Sequence, residues 1–392
     1  MGKRIILKRG KEQAILRYHP WIFSGAIAKV EGNPVEGDVV NVYGYDKEFL
    51  ATGHYAPGSI AVRLLSFTET EIDKQFYLSQ ITRALELRNQ LGFDGDGDTN
   101  VFRLIHGEGD GLPGLIVDFY NGTAVMQCHS AGIYHDRKLI AESLIEGGKG
   151  IIKSVYDKSE TTVPFMAALN PQNGFLIGKE SSKMVKESGY SFEIDWVGGQ
   201  KTGFFIDQRE SRRLLLNYTE GKKVLNMFGY TGGFSVYAMK KAALVHSVDS
   251  SSPATEMARS NVQLNFPDDK RHEAFDTDAF SFFRESKERY DVIVLDPPAF
   301  AKHNSALEKA LQGYKRINIQ AFLNIAPGGI LFTFSCSQVV TRENFRKSVF
   351  AAAANTGRKI RILHQLSQPP DHPVSIYHPE GEYLKGLVLH VE

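Results

Sequence analysis

Leu225-Asn226-Met227-Phe228-Gly229-Tyr230-Thr231-Gly232-Gly233-Phe234 decides how this chain folds. An apolar run, a glycine-rich turn and the start of an amphipathic segment follow one another without a break, which is the grammar of strand, turn and helix. Glycines at the turn let the backbone approach a ligand closely. Downstream the rhythm repeats. Lys223–Met227 reads as a strand, Gly232–Lys241 as a helix, Leu244–Asp249 as a strand and Thr255–Leu264 as a helix. Tyr290–Leu295, Leu307–Ala326 and Gly329–Ser335 continue as strand, helix and strand. Such alternation predicts an α/β domain, a doubly wound, mostly parallel sheet with helices on both faces. Ligands of such sheets bind beyond the carboxyl ends of the strands.

Upstream the pattern differs. Residues 1–70 alternate short β-rich runs (Arg4–Leu7, Val39–Tyr43, Ala61–Leu65) with turns, as in a small β-barrel. Residues 71–188 read as a central α+β domain. A helical stripe through Phe76, Leu78, Ile81, Leu85, Leu87 and Leu91 opens it. Strands at Val101–His106, Leu115–Phe119, Ala124–His129 and Ile151–Tyr156 and a helix over Tyr134–Ile145 follow. The Asp/Gly run at Gly92–Asn100 lacks the closing glutamate of a calcium loop and is read as a turn. Residues 189–392 form the third domain.

The chain has 392 residues, with 46 basic against 45 acidic side chains, so its overall charge favours no polyanion or membrane. The balance is local, however. Lys3, Arg4, Lys8, Arg9, Lys11, Arg17 and Lys29 face only Glu12 among the first thirty residues, a footprint for a polyanion or simply a solvated surface. Two cysteines, Cys128 and Cys336, exclude a disulfide framework and a multi-cysteine zinc site. No metal site is expected. The sequence shows neither a signal peptide nor a membrane span, and a reducing cytoplasm is the expected compartment.

Polar motifs sit at the expected strand ends. Val248-Asp249 closes the second strand about 20 residues past the glycine turn, where a carboxylate can accept ribose hydroxyls. Asp276-Thr277-Asp278-Ala279-Phe280 places an acid and an apolar pair where an adenine needs them. Val292-Ile293-Val294-Leu295-Asp296-Pro297-Pro298-Ala299-Phe300 ends a buried strand in an acid and two prolines, which stop the ladder and present Asp296 at the sheet edge. Taken singly, each acid is equally a helix cap or turn former. The glycines read G-x-x-G-G rather than G-x-G-x-x-G, and there is no Gly-Lys-Ser/Thr phosphate loop. A nicotinamide-dependent oxidoreductase on the same architecture remains open on spacing alone.

The ordered set of glycine turn, acidic strand end, Asp-Ala-Phe and Asp-Pro-Pro resembles the class I (Rossmann-like) methyltransferases. Gln200-Lys201-Thr202-Gly203-Phe204-Phe205-Ile206-Asp207-Gln208-Arg209 narrows the resemblance to the bacterial 23S ribosomal RNA cytosine-C5 methyltransferases of the large-subunit methyltransferase I type. His19-Pro20-Trp21-Ile22-Phe23-Ser24-Gly25, Gly107-Glu108-Gly109-Asp110-Gly111-Leu112-Pro113-Gly114-Leu115 and Thr333-Phe334-Ser335-Cys336-Ser337 extend it along nearly the whole chain. The resemblance implies an N-terminal PUA-like RNA-binding domain and S-adenosyl-L-methionine as cofactor. It implies 23S ribosomal RNA as partner before full subunit assembly, no DNA, and a homodimer as a candidate assembly. It also implies that Asp249 holds the ribose and Asp278 with Ala279 the adenine. Phe228, Gly229, Tyr230 and Gly232 wall the methionine part, and Asn226, Ser250 and Asp296 are counted among the cofactor-binding residues. Phe205 and Gln208 arrive from the segment leading into the sheet.

Cytosine C5 is a poor nucleophile until a thiolate adds to C6, which calls for a cysteine, a partner at N3 and a dry pocket. Cys336, after the apolar Ile330–Phe334, is assigned as nucleophile and Asp296 as the N3 partner; the alternative for Cys336 is an inert buried thiol. Some RNA cytosine methyltransferases carry a second cysteine after the Asp-Pro proline, but Pro298 stands there in this chain. Cys128 reads as packing. Phe300 is a candidate for stacking on a flipped base, the alternative being ordinary packing of an aromatic after Asp-Pro-Pro. The closest rival is an amino-nitrogen methyltransferase using Asp-Pro-Pro-aromatic without a cysteine. A third is an RNA-binding module with an inactive catalytic domain.

Overall fold

The protein is described by a computed structural model covering residues 2–164, 169–180, 182–301 and 303–392. The chain separates into two compact units. One comprises residues 1–186, 194–204 and 370–381, the other residues 187–193, 205–369 and 382–392.

The second unit holds the sheet that the glycine turn foretold. Helix α1 (Arg209–Leu215) leads into β1 (Lys223–Met227), α2 (Gly233–Met239), β2 (Leu244–Asp249), α3 (Ser252–Asn265), β3 (His272–Asp276) and α4 (Ala279–Glu285). Then come β4 (Tyr290–Leu295), α5 (Leu307–Asn324), β5 (Ile325–Ser335), α6 (Arg342–Thr356), β6 (Ile360–Leu366) and β7 (Lys385–Val391). The order across the sheet is β3-β2-β1-β4-β5-β7-β6. All neighbours from β3 to β5 pair in parallel, whereas β7 runs antiparallel to both β5 and β6. The order reverses between β1 and β4, so a crevice opens beyond their carboxyl ends. Val224, Leu225 and Met227 of β1 and Val292–Leu295 of β4 are buried, as strands covered on both faces must be.

Details depart from the sequence reading for local reasons. The helix expected from Gly232 starts at Gly233, because Gly232 is its N-cap with φ 80°. The helix expected from Thr255 starts earlier, at Ser252, with a proline in its first turn. Strands β3, β6 and β7 were not anticipated. β3 spans only five residues with Ala274 its one buried position, and β7 is placed by pairing with β5 residues fifty or more positions upstream.

In the first unit, a six-stranded sheet runs in the order Trp21–Phe23, Ile60–Ser66, Phe49–Tyr55, Val39–Tyr43, Arg4–Leu7, Ile27–Glu31. Ile5, Leu7, Val40, Val42, Val62 and Leu64 fill its core. A five-stranded sheet follows, Gly174–Ile177, Ser154–Asp157, Thr123–Cys128, Leu115–Tyr120, Val101–His106. Helix Lys74–Gln90 packs with Arg137–Gly147 beside it. The single helix expected over Tyr134–Ile145 is two, Ala131–His135 and Arg137–Gly147, meeting at Asp136, whose carboxylate accepts Tyr77 Oη at 2.6 Å. The Asp/Gly run forms an Asx turn in which Asp94 accepts from the Asp96 amide. No helix among the described residues is long and apolar enough to cross a membrane.

Candidate active site

The glycine turn, Asp249, Asp278, Asp296 and Cys336 all follow the carboxyl end of a strand or close it. Beyond β1 the chain adopts a conformation that side chains resist: Phe228 (φ 61°) and Tyr230 (φ 44°) are both left-handed. Such residues cost of order 1–3 kcal/mol each and persist only where surrounding structure holds them. Here the holding groups are identifiable. The Gly229 amide donates to Val248 O at 2.9 Å, and the Tyr230 amide donates to Asp249 Oδ2 at 2.9 Å. Asp249 Oδ1 accepts from the Ser251 amide at 3.0 Å. One carboxylate therefore clasps the loops after β1 and β2, and Thr277 N donating to Asp249 O adds the loop after β3. A Cβ on Gly232 would stand 3.0 Å from Ala258 Cα, so helix α3 packs where only a glycine fits.

The segment leading into the sheet reaches this turn. The Phe205 ring meets Tyr230 edge-on at 5.1 Å. A buried ion pair that the sequence reading missed holds Phe205 there. Arg212 forks onto Glu187 with two 2.7 Å hydrogen bonds and donates from Nη1 to Phe205 O at 2.9 Å. Tyr237 Oη adds a bond to Glu187 Oε1 at 3.0 Å. Glu187 and the neighbouring carboxylates push the Arg212 guanidinium above its usual range against the cost of burial. Tyr383 Oη, from far along the chain, donates to Asp207. The only sequence signal was the spacing of Arg209 and Arg212 on one helix face; Glu187, in a different segment, gave none.

Among the residues expected to bind the cofactor, Asn226 and Gln208, 1% and 2% exposed, each have a buried side-chain oxygen, Asn226 Oδ1 and Gln208 Oε1, with no hydrogen-bond partner among the described residues. Asn226 is otherwise fixed by donating Nδ2 to Ser235 Oγ at 2.9 Å. An unpaired buried acceptor is costly, so these oxygens fit a ligand that carries donors, such as an amino-acid ammonium.

Asp278 serves as the N-cap of α4, with Oδ1 accepting from the Phe280 and Ser281 amides at 3.0 and 3.1 Å. Hydrogen bonding from Ser281 holds its carboxyl below the usual range. The cap reading that sequence left open is thus realised, while buried Ala279 begins the helix beside it. Ser250 is exposed in the loop after β2.

At the other half of the crevice, β4 pairs Leu295 with Met227 on one side and with Thr333 on the other. Asp296 is half-buried just past that register position, and Cys336 is half-buried just past the end of β5. Tyr314 of α5 lies within electrostatic reach of both, and burial pushes its hydroxyl up to about 12. The serines flanking the cysteine are buried anchors. Ser335 Oγ donates to Tyr314 Oη at 2.9 Å, and Ser337 Oγ to Ala301 O at 2.6 Å. Phe300 packs on α5, the alternative the sequence left open beside stacking: its ring lies 4.7 Å from that of Tyr314, and a Cβ on Gly313 would meet it at 2.9 Å.

Cys128 belongs to the first unit. It is wholly buried, and burial raises its thiol far above the ordinary range. The motif at Gly107–Leu115 is also structural. Asp110 accepts a two-pronged pair from Arg88 and the His106 amide, and Glu108 accepts from Trp21 Nε1 at 2.8 Å. Of the basic cluster, Lys3 pairs with Asp38, Lys29 with Glu31, and Lys8 with the Gly25 carbonyl.

A doubly wound sheet ordered 3-2-1-4-5-7-6, with acids and a glycine turn at its switch point, defines a class I S-adenosylmethionine-dependent methyltransferase. The chain matches the S-adenosylmethionine-dependent methyltransferase family over residues 175–385 and a PUA-like domain over residues 5–67. It is 42% identical to ribosomal RNA large subunit methyltransferase I of Aeromonas salmonicida, with 99% of each chain covered. The enzyme of that name from Vibrio vulnificus is 39% identical with both chains fully covered. The chain belongs to the ribosomal RNA large subunit methyltransferase I family. A structure described as a SAM-dependent methyltransferase from Streptococcus mutans shares the fold over the whole of both chains, with TM-score 0.85 at 22% identity. A methyltransferase solved with SAH does so at TM-score 0.86 and 22% identity.

Proposed function

We propose that the protein methylates C5 of a cytosine in 23S ribosomal RNA in the cytoplasm, acting before full subunit assembly and through a covalent bond from Cys336 to C6. The observation that carries this reading is the shared strand-end setting of Cys336 and Asp296, half-buried around Tyr314. In the proposed division of labour, residues 1–70 grip RNA, residues 71–188 form the central domain, and residues 189–392 perform the chemistry. Asp249, Asp278 and Ala279, the turn Phe228–Gly232, Asn226, Ser250, Phe205 and Gln208 hold the cofactor, with the ammonium received by the unpaired acceptors Asn226 Oδ1 and Gln208 Oε1.

When bound, S-adenosylmethionine supplies the methyl as a sulfonium electrophile and keeps the bonding pair on its own sulfur. The protein's part is to make C5 nucleophilic. Cys336 Sγ forms a bond to C6, the π pair of the C5–C6 bond becomes available at C5, and Asp296 in its protonated form donates to N3 as negative charge arrives there, taking the proton back when the ring is restored. Once C5 is methylated its proton passes to a base, and the S–C6 pair returns to sulfur as the double bond reforms. The target must be flipped or single-stranded, because a stacked pyrimidine hides C6.

Labelled cofactor and unmethylated ribosomal RNA test the reading through nucleoside analysis, with 5-methylcytosine expected. RNA carrying 5-fluorocytosine should trap the enzyme in a species that survives denaturing electrophoresis and requires cofactor. Full turnover by Cys336→Ala would transfer the assignment to a base nitrogen.

A further inference from the structure

Lys385 opens β7 and pairs with Ser335 at the carboxyl end of β5. Only 4% of it is exposed, and Nζ donates to Ser337 O at 2.6 Å. Its backbone is thus anchored at one neighbour of Cys336 and its ammonium at the other, so the side chain bridges the turn that carries the thiol. Lysine is almost never buried unless paired. Among the described residues this ammonium contacts a neutral carbonyl, and no carboxylate closes an ion pair on it.

Among the described residues, four other charged or titratable groups act on this turn and its lysine. Tyr314 comes from α5, Asp296 follows β4, Arg342 opens α6 and Glu382 precedes β7. Burial pushes the Lys385 ammonium down to about 8, with Cys336 and Glu382 opposing the shift and Arg342 adding to it. Tyr314, pushed up to about 12, stays neutral near pH 7.

We propose that Lys385 is a positioning residue for methyl transfer: its ammonium fixes the Ser335-Cys336-Ser337 turn and stabilises the Cys336 thiolate. This rests on Cys336 being the nucleophile. Sγ–H gives its proton to solvent, the lone pair stays on sulfur, and Lys385 keeps its own proton while its charge offsets the new one. The cation is present well below pH 8, halved near it and lost as the pH rises further.

Alkylation of Cys336 by iodoacetamide across pH, read by mass spectrometry on the full-length protein, reports the thiolate without RNA or cofactor. Lys385→Met should raise the alkylation midpoint by about one to two pH units, since a neighbouring cation lowers a thiol's pKa by amounts of that order. Lys385→Gln, which keeps a donor for Ser337 O but no charge, should move with it, and Lys385→Arg should stay near wild type. The pH profile of methyl transfer should shift upward in the same two neutral variants. A Gln profile that coincides with wild type overturns the proposal, whether or not the Met variant folds, because the charge would then be idle. Failure of the nucleophile reading would show separately, as methylation retained by Cys336→Ser, and would leave the alkylation shift standing.

Discussion

Cys128 and Cys336 occupy nearly the same place in their strands and opposite chemical situations. Cys128 is the last residue of Thr123–Cys128, inside the hydrogen-bonded ladder, with its amide donating to Ser159 Oγ and its carbonyl accepting from Thr162. Core side chains surround it, and desolvation keeps the thiol protonated. Cys336 stands one residue beyond β5, where the ladder no longer claims the backbone and the side chain is half-buried. One step past a strand end separates a wholly buried thiol from a half-buried one. The same contrast divides the second unit: the Glu187–Arg212 pair is sealed in, while Asp249 and Asp296 stand at strand ends.

If strand-end residues serve chemistry and sealed residues serve stability, substitutions should sort accordingly. Cys336→Ser should lower methylation by about a thousandfold or more, because a serine hydroxyl is a far weaker nucleophile near neutral pH. Melting temperature should barely change, and near wild-type turnover would end the covalent reading. Arg212→Met should do the reverse. It leaves buried Glu187 with only Tyr237 Oη at 3.0 Å and the longer contact to Arg209 Nε at 3.5 Å, at a cost of about 3 kcal/mol in chemical denaturation. A Glu187→Gln second change should recover part of that loss, and a stable Arg212→Met protein would show the pair to be dispensable.

Asp249→Ala tests the middle ground, since this carboxylate both caps the loops and is proposed to bind ribose. Cofactor affinity should fall about ten- to a hundredfold, corresponding to a lost charge-assisted hydrogen bond of about 1.5–3 kcal/mol. Calorimetric titration checks it; an unchanged dissociation constant would place the ribose elsewhere. Cys128→Ser should have the smallest effect on function. Methylation and trapping should persist, while stability falls by about 1–3 kcal/mol for a poorly satisfied buried hydroxyl. A parallel loss of methylation would break the contrast between the two thiols.

Much of this site was legible in residue order. Strand, glycine turn and helix at Leu225–Phe234 are encoded within one turn of chain, so periodicity exposes them. Asp249 and Asp296 could be placed because each follows an apolar run that must be a buried parallel strand. Asp278 was legible only as two alternatives, since a cap and a ligand acceptor demand the same residue type at the same place. For Phe300 the sequence leaves stacking and packing both open, because its notch on Gly313 depends on packing between two elements.

The sequence by itself determined the α/β class, the order of β1, β2, β4 and β5, and the identity of the strand-end acids and Cys336, because these depend on neighbours along the chain. Only the tertiary structure decided what holds them. The left-handed Phe228 and Tyr230 are sustained by Val248 and Asp249, the lead-in segment by Glu187 and Arg212, and the Cys336 turn by Lys385 from a strand inserted beside β5. These contacts join residues from about twenty to about fifty positions apart, where loop closure rather than local preference sets the partner, and no short window of sequence contains both ends.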